Sequence, residues 1–218
     1  MVRLDIFSDP ICPWCYIGKA HLDEGMRKSG GNLFDLRWHP FQLNPNMNPD
    51  GMDREHYLVR KFGGKAEAIK AYNPIIESAR QAGLSIKLEA IKKTPSTFDA
   101  HRLIHWSETE NRQTELVDAL FKAYFVNGRD IGDKRQLAEI AGEIGLNETM
   151  ISRLLESEND RELLTERDEN ARKMGINAVP TFIVGGRHVV QGKQDKAFWT
   201  KVISEISETL SIGLSAQQ

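Results

Sequence analysis

Two sulfurs stand close together near the start of this 218-residue chain, in DPICPWCYIG, residues 9 to 18. Cys12 and Cys15 are its only cysteines. A C-x-x-C pair admits three chemistries: dithiol exchange, half of a metal site, or two inert buried thiols. A structural zinc site needs four Cys or His ligands, and the six histidines show no paired spacing near the cysteines. Placement favours redox exchange. VRLDIF (2–7) alternates apolar and polar and reads as a strand; CPWCYIGKAHLDEGMRKSGG follows as a helix with Leu22 and Met26 four apart, stopped by Gly30 and Gly31. The pair therefore opens a helix, and Pro13 suits the first helical position. Unsatisfied N–H groups and the macrodipole favour negative charge there, which raises the thiolate fraction of Cys12. The thiolate is the attacking species in disulfide exchange. Cys15, about one turn on, is placed to resolve a mixed disulfide. The sequence predicts Cys12 exposed and Cys15 more buried, with Trp14 offering apolar surface beside the sulfur.

The elements that must position this pair lie at the two ends of the chain. FDLRWH puts Phe34, Leu36 and Trp38 on one side of a second strand. After the turn-rich NPNMNPDGM (44–52), helix follows helix from about 53 to 174 with no convincing strand. RQTELVDALFKAYFVNG repeats Leu116, Leu120 and Tyr124 every fourth residue, and Gly128 near its end suits a left-handed cap. DKRQLAEIAGEIG and NETMISRLLESE are opened by Asp and Asn, and AEAIKAYNPIIESARQAG carries Pro74, which should kink or split it. Strand signal returns in AVPTFIVGG and RHVVQG, a hairpin on Gly185-Gly186. The last helix places Phe198, Val202, Ile206 and Leu210 at steps of four. The order is β-α-β, a helical block, then β-β-α. Neither flank buries its sheet alone; together they make one four-stranded α/β sheet with the block inserted.

Val179-Pro180-Thr181 enters the third of these strands. With CPWC on the first helix, this VPTF resembles the thioredoxin superfamily. The resemblance implies that Pro180 is a cis-proline packed against the cysteines and that Val179 presents its backbone to an extended substrate. More closely, DPICPWCYIG, WHPFQLNP (38–45), TFDAHRLIHW (97–106) and MGINAVPTFIV (174–184) are similar to the DsbA family and its FrnE-like dithiol oxidoreductases. These are grouped with 2-hydroxychromene-2-carboxylate isomerases and kappa-class glutathione transferases. The resemblance runs to about residue 210. It implies a thioredoxin-like fold with a large all-helical insertion: residues 1–45 plus 175–212 the thioredoxin-like domain, 46–174 the helical insertion, and 213–218 a frayed C-terminus. The isomerase and transferase branches usually carry Ser at the position of Cys12, so two thiols favour dithiol chemistry.

The remaining candidates are weaker. His101, on a helix opened by Ser96 or Thr97, is a candidate substrate contact if it faces the cysteines, and otherwise a packed histidine. His105 and Trp106 read as packing and His39 as a solvated side chain. Phe41 and Leu43 read as groove lining or core, and the charges of 156–173 as a solvated helix face. Net charge is -2, with no Lys/Arg block to meet nucleic acid. The N-terminus lacks a signal-peptide pattern and no apolar run spans a bilayer, so a cytoplasmic location and no membrane partner are expected. The expected function is a thiol–disulfide oxidoreductase or isomerase with catalytic Cys12 and Cys15 and with Pro13, Trp14, Val179, Pro180 and His101 around the substrate. No bound cofactor or metal is expected. Glutathione is an allowed redox co-substrate, beside thiol- or disulfide-containing proteins or small molecules. A glutathione-dependent isomerase or transferase acting on a small aromatic molecule is the alternative. A binding module switched by its cysteines is a third reading, and a homodimer is allowed.

Overall fold

The computed structural model describes residues 1–30 and 33–215; Gly31, one of the two expected helix stops, lies outside them. Strand β1 (Val2–Ser8) is followed by α1 (Pro13–Lys28) and β2 (Phe34–Pro40). The last part holds β5 (Thr181–Val184), β6 (His188–Gln191) and α9 (Lys196–Ser215). These form the expected four-stranded sheet, in the order β2-β1-β5-β6. β1 runs parallel to β2 and antiparallel to β5, which pairs antiparallel with β6. Gly185 and Gly186, both at positive φ, make the hairpin turn, closed by Arg187 N–H on the Val184 carbonyl. As an inner strand β1 is buried on both faces from Leu4 to Ser8. Its alternation therefore sorts side chains between two covered faces, not between core and solvent.

The even-numbered face packs under α1 and α9. Trp199, fully buried, stands edge-on to Phe182 and Phe34. The expected stripe of α9 is displaced by one residue. Trp199 and Ile203 are the buried positions, Phe198, Val202 and Ile206 are half-buried, and Leu210 is exposed. Steps of four drift around a helix of 3.6 residues per turn, so a stripe read over three turns leaves the core. The described helix also continues to Ser215, past the expected fray; residues 216–218 lie outside the description.

The intervening block holds α2 (Arg54–Phe62), α3 (Lys65–Gln81), α4 (Phe98–Trp106), α5 (Gln113–Phe125), α6 (Lys134–Glu143), α7 (Glu148–Glu156) and α8 (Arg161–Lys173). Asp133 and Asn147 cap α6 and α7 as expected. α3 runs unbroken through Pro74 instead of splitting. The block is not free of strand: β3 (Met52–Asp53) pairs with β4 (Lys93–Thr94). Two residues are too few to show a period. Gly128 has φ +66, and a Cβ there would meet the Ala90 carbonyl oxygen at 2.4 Å. One continuous cluster of buried side chains joins sheet and block, from Leu4 and Ile6 to Leu116, Phe121 and Leu155.

Candidate active site

Cys12 is the N-cap of α1, with extended backbone (φ -85, ψ 112), and Pro13 takes the first helical position. Its carbonyl accepts from Cys15 N–H and Tyr16 N–H, closing the first turn, and its own N–H donates to the Asp9 carbonyl at 2.9 Å. Both thiols are unbridged and close together. Their burial differs from expectation: Cys12 and Cys15 are each 2% exposed. Cys12 is covered because its Sγ turns inward, donating to the Val179 carbonyl at 3.6 Å. The Val179-Pro180 bond is cis. Pro180 lies against Gly18 of α1, where an added Cβ would come 3.1 Å from its ring. Trp14 is half-buried, with Lys193 Nζ 5.9 Å from its ring centre.

Burial pushes the Cys15 thiol well up, and its hydrogen bond with Cys12 and the charge of Cys12 add to the rise. The Ser8 hydroxyl and the Asp9 N–H pull the other way. Asp9 itself was missed by sequence reasoning. Its side chain is fully buried, and Oδ1 accepts from Ile11 N–H and Oδ2 from Leu43 N–H. The Thr97 hydroxyl also bonds it, which explains why Thr97, the residue before α4, makes no side-chain cap. Burial pushes the Asp9 carboxyl up to about 6 against these three hydrogen bonds. The one sequence signal was an Asp-Pro step after a strand, which reads only as a turn.

His101 is buried beside Asp9, its Nε2 4.0 Å from Oδ1, and burial alone pushes it down to about 3. It is neutral at pH 7, and no hydrogen bond joins it to either thiol among the described residues. His39 is not a solvated side chain: its Nε2 meets Asp5 Oδ1 at 2.6 Å and its ring stacks on Phe7. β2 turns it inward, and burial pushes its pKa down. Phe41 is core, under the Arg172 guanidinium. Leu43 borders a cleft of about 510 Å3 with Asn44, Tyr57 and Lys61. The charges of 156–173 are not all solvated either: Asp168 is buried, accepting from Gln42 N–H at 2.7 Å. His105 meets Arg167, and Trp106 donates to Asp160. Among the described residues, no cluster of His, Cys, Asp or Glu could hold a metal, and no helix is long and apolar enough to cross a membrane.

Residues 3–204 match the family model of the DSBA-like thioredoxin domain. The chain belongs to this family. The DSBA-like domain thus covers the CPWC turn, the helical block and the cis-proline strand together. The chain is 27% identical over 205 residues to the uncharacterized protein YwbO of Bacillus subtilis (strain 168), covering 94% of this chain and 96% of that protein. Among solved structures it is similar to the probable DsbA oxidoreductase SCO1869 of Streptomyces coelicolor, at 25% identity and TM-score 0.82, over 94% and 89% of the two chains. The cytosolic disulfide reductase DsbM of Pseudomonas aeruginosa with GSH (17% identity, TM-score 0.68, 94% and 99% covered) shares the fold. So does a 2-hydroxychromene-2-carboxylate isomerase (15%, 0.71, 99% of each chain). As a DSBA-like protein the chain is a thiol oxidoreductase or isomerase in kind.

Proposed function

We propose that this chain is a cytoplasmic thiol–disulfide oxidoreductase of the FrnE type, working through the CPWC dithiol. One observation carries the reading: Cys12 stands at the start of α1 with its sulfur 3.6 Å from the carbonyl before Pro180, and Cys15 follows one turn later. Negative charge on a sulfur at that end of a helix is favoured. The Cys12 thiolate attacks one sulfur of a substrate disulfide; that S–S bond breaks, a mixed disulfide forms, and the first substrate thiolate leaves. Cys15 gives up its proton and attacks Cys12 Sγ. The Cys12–Cys15 bond forms, the second substrate thiolate leaves, and two electrons have passed from the dithiol to the substrate. Run backwards, the same steps oxidise a dithiol.

Docking requires Cys12 to leave the Val179 carbonyl, which frees that carbonyl for the backbone of an extended substrate. Pro13, Trp14, Val179 and Pro180 form the surface around the exchanging sulfur, and His101, buried beside Asp9, is the remaining substrate contact of this reading. Glutathione suits the role of redox co-substrate. The test is equilibration against glutathione, following tryptophan fluorescence and free thiols. The expected result is a two-electron transition lost in Cys12→Ser, with mixed disulfide accumulating in Cys15→Ser. A midpoint above roughly -200 mV marks an oxidant or isomerase, and one well below it a reductant. Absence of an internal disulfide, with glutathione-dependent turnover surviving Cys15→Ser, would replace this reading with the isomerase or transferase one.

A further inference from the structure

A cavity of about 720 Å3 lies away from the thiols. It opens between the sheet and α8, on the odd-numbered face of β1, opposite the face that packs against Trp199. Arg3, Asp5, Phe7 and His39 form its floor, with Arg167 and Met174 on the helical side. A helix covering a central strand ordinarily presents apolar side chains to it. Here the strand holds a buried carboxylate. Asp5 Oδ1 accepts from Arg3 Nε at 2.8 Å and Nη2 at 2.6 Å, and meets His39 Nε2. The charges of Arg3 and Asp5 offset one another, and His39 is held towards neutrality by burial.

Arg167 has no such partner. Its one hydrogen bond is to the imidazole His105 Nδ1, at 3.2 Å, and no carboxylate pairs with it among the described residues. A half-buried guanidinium with free donors, in a concave wall of low dielectric, attracts an anion strongly. Phe7, Ile183 and the exposed Met174 supply apolar surface beside it. The volume falls in the range of small-molecule sites, roughly 300–1,000 Å3. We propose that this cleft binds a small apolar monoanion, an aryl or short alkyl carboxylate, with its charged head on Arg167 and its body against Phe7, Ile183 and Met174. The site does not depend on the dithiol chemistry.

The probe is 1-naphthoate, titrated into the whole chain and followed by amide NMR shifts. Saturable one-to-one binding is expected, with shifts centred on Asp5, His39 and Arg167. The neutral 1-naphthamide should bind at least about tenfold more weakly, the loss of one charge-assisted hydrogen bond. Arg167→Gln should weaken naphthoate by a similar factor, and Cys12→Ser with Cys15→Ser should leave it unchanged. Equal binding of naphthoate and naphthamide by the unaltered protein overturns the proposal whether or not the Arg167 variant folds. So does absence of saturation, or shifts centred elsewhere.

Discussion

Asp9 ties together more of the site than either cysteine beside it. Its carbonyl holds Cys12 N–H, its own N–H points to the Cys15 sulfur, and its carboxylate takes Ile11 and Leu43. That carboxyl titrates near 6 in the fold, against a usual 3.8. Between those values the folded chain keeps a proton that the unfolded chain has released. The neutral acid therefore suits the fold: its stabilising effect is complete below about pH 4 and is lost as pH rises through 6. The gap corresponds to about 3 kcal/mol. Asp9→Asn, permanently neutral, loses one acceptor at every pH but lacks this dependence. Urea unfolding of both proteins at pH 4 and pH 7 should show the stability difference moving toward the variant by about 2 kcal/mol at the higher pH, since at pH 4 the unfolded carboxyl is already partly ionised. A constant difference would mean that Asp9 is not buried as described. None of this was legible in the sequence, because Leu43 lies 34 positions from Asp9 and no short-range pattern joins them. The thiols and the proline were legible because a strand, a proline at the first helical position and an X-Pro step are local signals.

At the scale of elements, single residues decide how helices meet. A Cβ on Gly25 of α1 would sit 2.6 Å from the Trp199 Cβ of α9. Gly25→Ala gains about 1 kcal/mol of helix propensity, but overpacking a filled contact costs about 1–3 kcal/mol. A net loss is expected on thermal unfolding; a higher Tm would show that α9 can shift away. Arg102 does the opposite work in the block. Fully buried, it donates to Asp99 and to the carbonyls of Leu154, Ser157 and Asn159, closing the C-terminal end of α7, while its guanidinium lies over Trp106. Arg102→Met takes the guanidinium donor from the Ser157 and Asn159 carbonyls, while Asp99 keeps Arg161 and the Leu154 carbonyl keeps Ser157; a loss of about 1–3 kcal/mol is expected in chemical denaturation. The helices themselves were readable from Leu116, Leu120 and Tyr124, all buried as their spacing required. Which face of α9 turns inward was not, because Trp199 and Phe198 differ by one step and only the sheet beneath chooses between them.

The whole molecule is divided in sequence and joined in space. The flanks carry the sheet, the cysteines and Pro180, so the 46–174 block looks removable. Its contacts argue otherwise. Tyr16, directly after Cys15, stacks on Phe121 and Phe125 of α5 at 5.0 and 5.7 Å. Trp38 Nε1 donates to Thr114, and Lys19, buried on α1, pairs with Asp118 of α5 as well as Asp23. Gln42 N–H depends on Asp168 of α8. Removing the block would uncover an aromatic ring on the active-site helix, take from Lys19 one of its two carboxylates and take from Gln42 N–H its acceptor. A small remainder has little surplus stability to absorb that. Replacing 46–174 by a short Gly/Ser linker should therefore give a chain with no cooperative urea transition and no near-ultraviolet circular dichroism. A cooperative transition from that shortened chain would show instead that the sheet and its two helices fold alone. The block would then be a cover laid over a finished site, and the burial of Cys12 and Cys15 would have to come from the flanks themselves.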